Sequence, residues 1–342
     1  MAQKRKSTAP RNTRKSSSRK GRPPKIKVIP YLVAAAFSML CLCITMADYV
    51  NPFSLFPTWD QIFTTVERIG GQDISSDASG VAGTHSTVTV HMIDVGQADS
   101  ILIEAPQANV LIDGGENGSG DDIIAYLKNQ GVSTLDIVIG THAHSDHIGG
   151  LDEVIEEMKV EKVILPEMAE SSIPTTKTYT NLLTAILEKD LSITTAQVGD
   201  TYSLGDGAKL QIVGPNGIFT DLNNTSVVCK LTYGETSFLF TGDCEEQAEA
   251  AILNRRGIDL SADVLKVGHH GSDTSTSDAF LEAVDPEIAL ISCGVDNSYG
   301  HPSPSTLEKL IQWGAEIYRT DLDGSIVVTS DGMNLKVKTE KS

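Results

Sequence analysis

Basic residues are scarce after the first 27 positions. Residues 1–27 hold eleven of the chain's 27 Lys and Arg and none of its 45 Asp and Glu, which leaves 16 basic side chains against 45 acidic ones, an excess of 29 negative charges. That deficit counts against a broad basic groove, the feature that gives nonspecific affinity for a nucleic-acid backbone. Cysteine is also rare. Cys41 and Cys43 fall in an apolar run, and Cys229, Cys244 and Cys293 are an odd, widely spaced set that reads as buried thiols and excludes a disulfide scaffold. No fixed-period repeat is present, so solenoid architectures drop out. Histidine is the telling scarcity: of eight in 342 residues, three lie in GTHAHSDHIGG, where His142, His144 and His147 surround Asp146.

The basic segment 1–27 is low in complexity and reads as a disordered cytoplasmic tail. It is followed by VIPYLVAAAFSMLCLCITMA, Val28 to Ala47, twenty residues without a formal charge. A helix needs about 20 apolar residues to cross the hydrocarbon core, and a short flank rich in Lys and Arg stays cytoplasmic. The expectation is a single-pass transmembrane signal anchor over 28–50, placing the bulk of the chain outside the cell membrane. A cleaved signal peptide is the rival, but the run exceeds the usual h-region of roughly 7–15 residues and no A-x-A site follows it. Residues 51–86 end in a Gly/Ser-rich run and read as a linker.

From 87 to 342 short apolar runs alternate with amphipathic ones. TVTVHMIDV, SILIEA, NVLIDGG, LDIVIG, EKVILPE, KLQIVG, SVVCKLTYG, SFLFTGD, ADVLKVG, EIALISCG, EIYRT and SIVVTS read as strands, and DDIIAYLKNQG, LDEVIEEMKV, NLLTAILEKD, EEQAEAAILNRRG and PSTLEKLIQWG as helices. The mixture predicts one layered α/β domain.

The histidine cluster follows the apolar run LDIVIG and precedes the helical LDEVIEEM, which puts it on a strand-to-helix loop at a sheet edge. In extended chain, residues i and i+2 point the same way, so His142 and His144 can hold one cation while Asp146 and His147 face a second. Further candidates stand after other predicted strands: Asp243 after SFLFTG, and His269 or His270 after ADVLKVG. His301, in NSYGHPSPSTLEKL, precedes a helix start and takes either a turn role or a place in the site.

These runs together resemble the metallo-β-lactamase fold, a four-layer αββα sandwich. IDVGQADSILI, VLIDGG, THAHSDHIGG, TGD, VGHHGS and YGHPSP are similar to the metallo-β-lactamase-like domain of the DNA-uptake competence protein ComEC. The resemblance implies a dinuclear centre of two divalent cations, zinc or manganese. It makes Asp113 a structural carboxylate, Asp243 the bridging ligand and His270 the ligand on the second ion, with His269 facing substrate and the exchange of those two histidines left open. For hydrolysis of a phosphodiester, Asp146 can orient the attacking water, and His269 or His301 can stabilise charge on the phosphate or protonate the leaving oxygen. The chain departs from the wider fold in having no histidine from Ile148 to Gly268, where many members place a further ligand. DLNNTSVVCKLTYG resembles the ComEC-like branch there and brings Asn223 and Ser226 toward the first ion; an amide oxygen in place of imidazole favours harder ions such as manganese.

The expected function is metal-dependent hydrolysis of a phosphodiester, with DNA as the candidate polymer, by a membrane-tethered domain. Hydrolysis of an amide, lactam or ester of the cell envelope is the alternative, and a non-catalytic metal-binding module the third.

Overall fold

A computed structural model describes residues 86–341. The tail over 1–27, the apolar span over 28–50 and all of the linker but Ser86 lie outside the described residues. Among the described residues, no helix is long and apolar enough to cross a membrane.

The first half of the domain begins with three antiparallel neighbours, β1 (Val88–Met92), β2 (Ile101–Ala105) and β3 (Ala108–Ile112), and then alternates. Helix α1 (Gly120–Asn129) leads to β4 (Ile137–Ile139). A single turn, α2 (Ser145–Ile148), precedes α3 (Leu151–Glu157), β5 (Val163–Leu165), α4 (Lys177–Glu188) and β6 (Ile193–Thr195). The second half runs β7 (Thr201–Gly205), β8 (Ala208–Gly214), β9 (Val228–Tyr233), β10 (Thr236–Phe240), α5 (Glu246–Leu253) and β11 (Val264–Lys266). It continues through α6 (Asp278–Val284), β12 (Ile288–Ile291), α7 (Pro304–Trp313), β13 (Glu316–Arg319), α8 (Thr320–Asp323), β14 (Ile326–Ser330) and β15 (Leu335–Thr339).

Two large mixed sheets result, ordered β15-β14-β1-β2-β3-β4-β5-β6 and β13-β12-β11-β10-β9-β8-β7, with a small parallel pair of Thr134–Leu135 and Lys159–Val160 beside them. The expected α/β sandwich is present, and its layering follows from side-chain alternation. Val88, Val90, Met92, Ile101 and Ile103 of the first sheet bury themselves with Leu210, Ile212, Leu231, Phe238 and Phe240 of the second, forming the core between the sheets. Leu102 and Leu111, on the opposite face, pack on Ile123, Leu127, Leu151, Ile155 and Leu182 of α1, α3 and α4. Leu239 and Leu265 do the same on Ile252, Phe280, Leu281 and Leu310 of α5, α6 and α7. Near the strand ends many buried groups are polar instead, among them Asp99, Asp113, His142, His147, Asp243 and His270.

Lys159–Val160, read from the sequence as the end of a helix, is a short strand, and three longer strands escape the patterns, β6, β7 and β15, all of them sheet edges. Edge strands are half solvated, so Thr, Ser and Lys take positions that an interior strand fills with apolar side chains. Helix α6 is missed because DAFLEAV is only two turns long. The histidine loop also contains the helical turn α2, closed where the His144 carbonyl accepts from Ile148 N at 3.0 Å.

Candidate metal centre

Every candidate side chain stands beyond the end of a strand. Asp113 follows β3 and the 141–147 segment follows β4, both of the first sheet; Asp243 follows β10 and His269 and His270 follow β11, both of the second. His301 lies between β12 and α7. The histidine loop is fastened to the Asp113–Gly115 loop by backbone bonds: Gly114 N to His147 O at 2.6 Å, Gly149 N to Gly115 O at 2.9 Å and Gly150 N to Gly114 O at 3.1 Å. Contact is so close that a Cβ on Gly149 would sit 2.2 Å from Asn117 N.

Buried Asp113 organises this loop. Its carboxylate accepts from Thr141 N and Thr141 Oγ1, each at 2.7 Å, and from His147 Nδ1 at 2.8 Å. With Nδ1 committed as donor, His147 turns the lone pair of Nε2 inward, 3.2 Å from Asp243 Oδ1. His270 is fixed by the same logic. Its Nδ1 donates to Ser292 O at 2.9 Å, which leaves Nε2, once it has lost its proton, free to ligate a cation, 3.4 Å from Asp146 Oδ2 and 3.7 Å from Asp243 Oδ2. The backbone pays for this aim. His269 and His270 have φ of 50° and 53°, a left-handed conformation that costs a non-glycine residue roughly 1–3 kcal/mol and persists where the surroundings enforce it.

One donor atom from each of Asp146, His147, Asp243 and His270 lies within 4.8 Å of the other three. His147 Nε2, Asp243 Oδ1 and His270 Nε2 are buried without hydrogen-bond partners. Leaving such groups unsatisfied costs roughly 1–3 kcal/mol apiece. A divalent cation among them satisfies all three at once, so this donor set fits the implied metal. His142 and His144 face each other beside it, Nε2 to Nδ1 at 3.0 Å, with His142 Nε2 3.9 Å from Asp243 Oδ2. Asn223 lines the same cavity as His144 and Asp243. Its Nδ2 donates to Glu245 Oε1 at 3.2 Å, and its Oδ1 is buried without a partner. Ser226 stands one layer back: its Oγ accepts from Asp243 N at 3.1 Å and lies 3.3 Å from His142 Nδ1.

His269 and His270 differ in placement. His270 is buried in the donor cluster, whereas His269 lines the cavity with its Nε2 3.5 Å from Asp243 Oδ2 and its Nδ1 between Thr274 Oγ1 (3.2 Å) and Glu245 Oε1 (3.3 Å). The His301 ring meets the His269 ring edge-on, centroids 5.4 Å apart.

Charge is dense here. Burial lowers the His270 pKa, but the carboxylates of Asp243 and Asp99 outweigh it and raise the imidazole to about 10. Burial raises Asp146, but His270 and His147 bring it down to about 2. Burial, then the neighbouring His269 and His270, push the His301 imidazole below its ordinary range.

The sequence patterns miss the deepest support. Asp99 and Lys266 form a fully buried ion pair, Nζ to Oδ2 at 2.6 Å, and Asp99 Oδ1 lies 3.4 Å from His270 Nδ1. The available signal was a single Lys inside the apolar strand ADVLKVG, and an Asp in the GQADS turn. Glu245, which braces both Asn223 and His269, gave none.

Residues 93–295 match the Metallo-beta-lactamase superfamily. The chain is 33% identical to ComE operon protein 3 of Bacillus subtilis over 256 residues, covering 69% of this chain and 32% of that protein. It is 29% identical to competence protein ComA of Neisseria gonorrhoeae over 74% of this chain and 33% of that one. Recombination protein 2 of Haemophilus influenzae is 30% identical over 71% and 29%, respectively. The chain thus spans about a third of the length of these relatives.

Proposed function

The chain belongs to the metallo-β-lactamase superfamily, and from that premise we propose that it is a dinuclear-metal phosphodiesterase acting on DNA, held at the outer face of the cell membrane by segment 28–50. The observation that carries the reading is the convergence of Asp146, His147, Asp243 and His270 on one point, with three of their polar atoms unsatisfied. His142 and His144, with Asn223 and the shared Asp243, form the set for the other ion. Two divalent cations bound there, zinc or manganese, supply Lewis-acid polarisation of a phosphoryl oxygen and lower the pKa of water toward neutrality.

The chain's own residues do the rest. Asp146, with 27% of its side chain exposed to the cavity, orients the attacking water. His269, braced by Thr274 and Glu245, hydrogen-bonds a phosphoryl oxygen. His301 stands next to it as a hydrogen-bonding group for the phosphate, and the proton it passes to the leaving oxygen is one it has first taken from the attacking water. DNA is favoured as the polymer by relatives whose names refer to competence and recombination.

The test uses the full chain, stripped and reloaded with Mn²⁺ or Zn²⁺, on bis(p-nitrophenyl) phosphate beside Asp243→Ala. Metal-dependent release that disappears in the variant supports the phosphodiesterase. Binding of the ions without release defeats it, and turnover of an ester or lactam in the same preparation transfers the site to the alternative chemistry. For the tether, protease added to intact cells should digest the domain; protection would overturn the topology.

A further inference from the structure

The cavity over the donor cluster, about 300 Å³, is lined by Gln97, His144, Ser145, Asn223, Tyr299 and His301 besides the acidic and histidine groups already described, and among the described residues by no Lys or Arg. Among the described residues, a phosphate entering it meets no Lys or Arg, so with metal bound to the histidines the charge attraction comes from the ions, and the rest of the affinity from another part of the substrate. Tyr299 is the group placed to supply it. Its side chain is 72% exposed at the cavity wall. One ring face lies near-parallel to His301, centroids 5.8 Å apart with 27° between planes. His301 in turn abuts His269, so an unbroken series of rings runs from beside Asp243 out to solvent.

The loop that carries Tyr299 is braced. Asn297 Nδ2 donates to Gly294 O at 2.9 Å, His301 N donates to Asn297 Oδ1 at 3.0 Å, and Gly294 N donates to Gln97 Oε1 at 3.0 Å. An exposed aromatic on a fixed loop offers a flat apolar surface that needs little ordering on binding. Every nucleobase has a π-face that such a ring can take, independent of sequence. In a duplex those faces are already stacked on neighbouring pairs.

We propose that Tyr299, backed by His301, is a stacking platform for the base adjoining the scissile phosphate, and that the site's substrate is therefore single-stranded nucleic acid rather than duplex. This rests on the phosphodiesterase reading for its scissile bond, though not for its binding. The platform sets specificity: it holds substrate and leaves the chemistry to the groups at the base of the cavity.

The test is fluorescence anisotropy on the full chain with Ca²⁺, comparing labelled hexathymidylate with an abasic hexamer bearing the same phosphates. The wild-type chain should prefer the base-bearing strand by about tenfold, the scale of one base–aromatic stack. Tyr299→Ala should erase that preference without changing cation stoichiometry, and Tyr299→Trp should keep it. Equal affinity for the two strands, no binding of either, a preference that survives in Tyr299→Ala, or tighter binding of the hexamer as a duplex would each overturn the platform. A Tyr299-dependent preference in a protein that releases nothing from bis(p-nitrophenyl) phosphate with Mn²⁺ or Zn²⁺ would defeat the phosphodiesterase reading and leave the platform standing.

Discussion

Lys266 Nζ lies 2.6 Å from Asp99 Oδ2 in the interior behind the donor cluster, each side chain within 1% of complete burial. Burial pushes the Asp99 carboxyl up, but Lys266, His270 and His147 together hold it below the ordinary carboxylate range. The pair thus keeps a fixed negative oxygen behind His270 Nδ1, in the position from which a carboxylate orients a metal-binding imidazole.

Two variants separate the parts of that arrangement. Lys266→Met strands a buried charge and should destabilise the domain by about 3–5 kcal/mol, whereas the double variant with Asp99→Asn should recover part of the loss. Urea unfolding of the four proteins measures it. In Asp99→Asn alone, the affinity for one of the two ions should fall about 10–100-fold, the usual cost of removing such a partner; unchanged affinity for both ions would leave Asp99 with a packing role only.

Metal uptake should be tied to pH. Without metal, His270 is held protonated to about pH 10 and His147 is also raised, because Asp243 and their other carboxylate neighbours outweigh the lowering effect of burial. An imidazole nitrogen must lose its proton to bind a cation. Affinity should therefore climb as pH rises through neutrality, with protons released on loading. Titration calorimetry in two buffers of different ionisation heat counts them, and loading without release would contradict the assignment.

Asn223→His should shift metal preference. The wild-type amide oxygen is a harder donor than imidazole, so the variant should gain affinity for Zn²⁺ relative to Mn²⁺. A competition titration with both ions reads the change, and an unaltered ratio would place Asn223 outside the donor set.

Gly149→Ala tests the fastening of the histidine loop. Its φ of −62° suits any residue, so the penalty comes from the Asn117 backbone 2.2 Å from the new methyl group. A loss of about 1–3 kcal/mol is expected, accompanied by weaker metal binding. Thermal unfolding with and without metal checks both effects.

Much of this was legible in the sequence because the donors are concentrated. Three histidines in six positions, the Gly-Asp after an apolar strand and the His pair after another announce strand-end loops that meet at one place. The interior strands were readable for a related reason, since both of their faces are buried. What was hidden depends on three-dimensional neighbours. Asp99 and Lys266 are 167 positions apart and take their meaning only from each other. Glu245 resembles any surface glutamate until α5 and the 274 loop fold against it. The edge strands β6, β7 and β15 carry no apolar run because only one side of each is paired. The different placements of His269 and His270 go with two consecutive left-handed residues, which no local pattern of side chains reveals.

The donors come from opposite sheets: Asp146 and His147 from loops of the first, Asp243 and His270 from loops of the second. A cation held by all four acts as a rivet through the seam between two half-molecules that also meet through apolar side chains and the Asp99–Lys266 ion pair. Mechanical or thermal parting of the sheets and ejection of the ion are then one event, and a bound metal reports at any moment that the halves are shut.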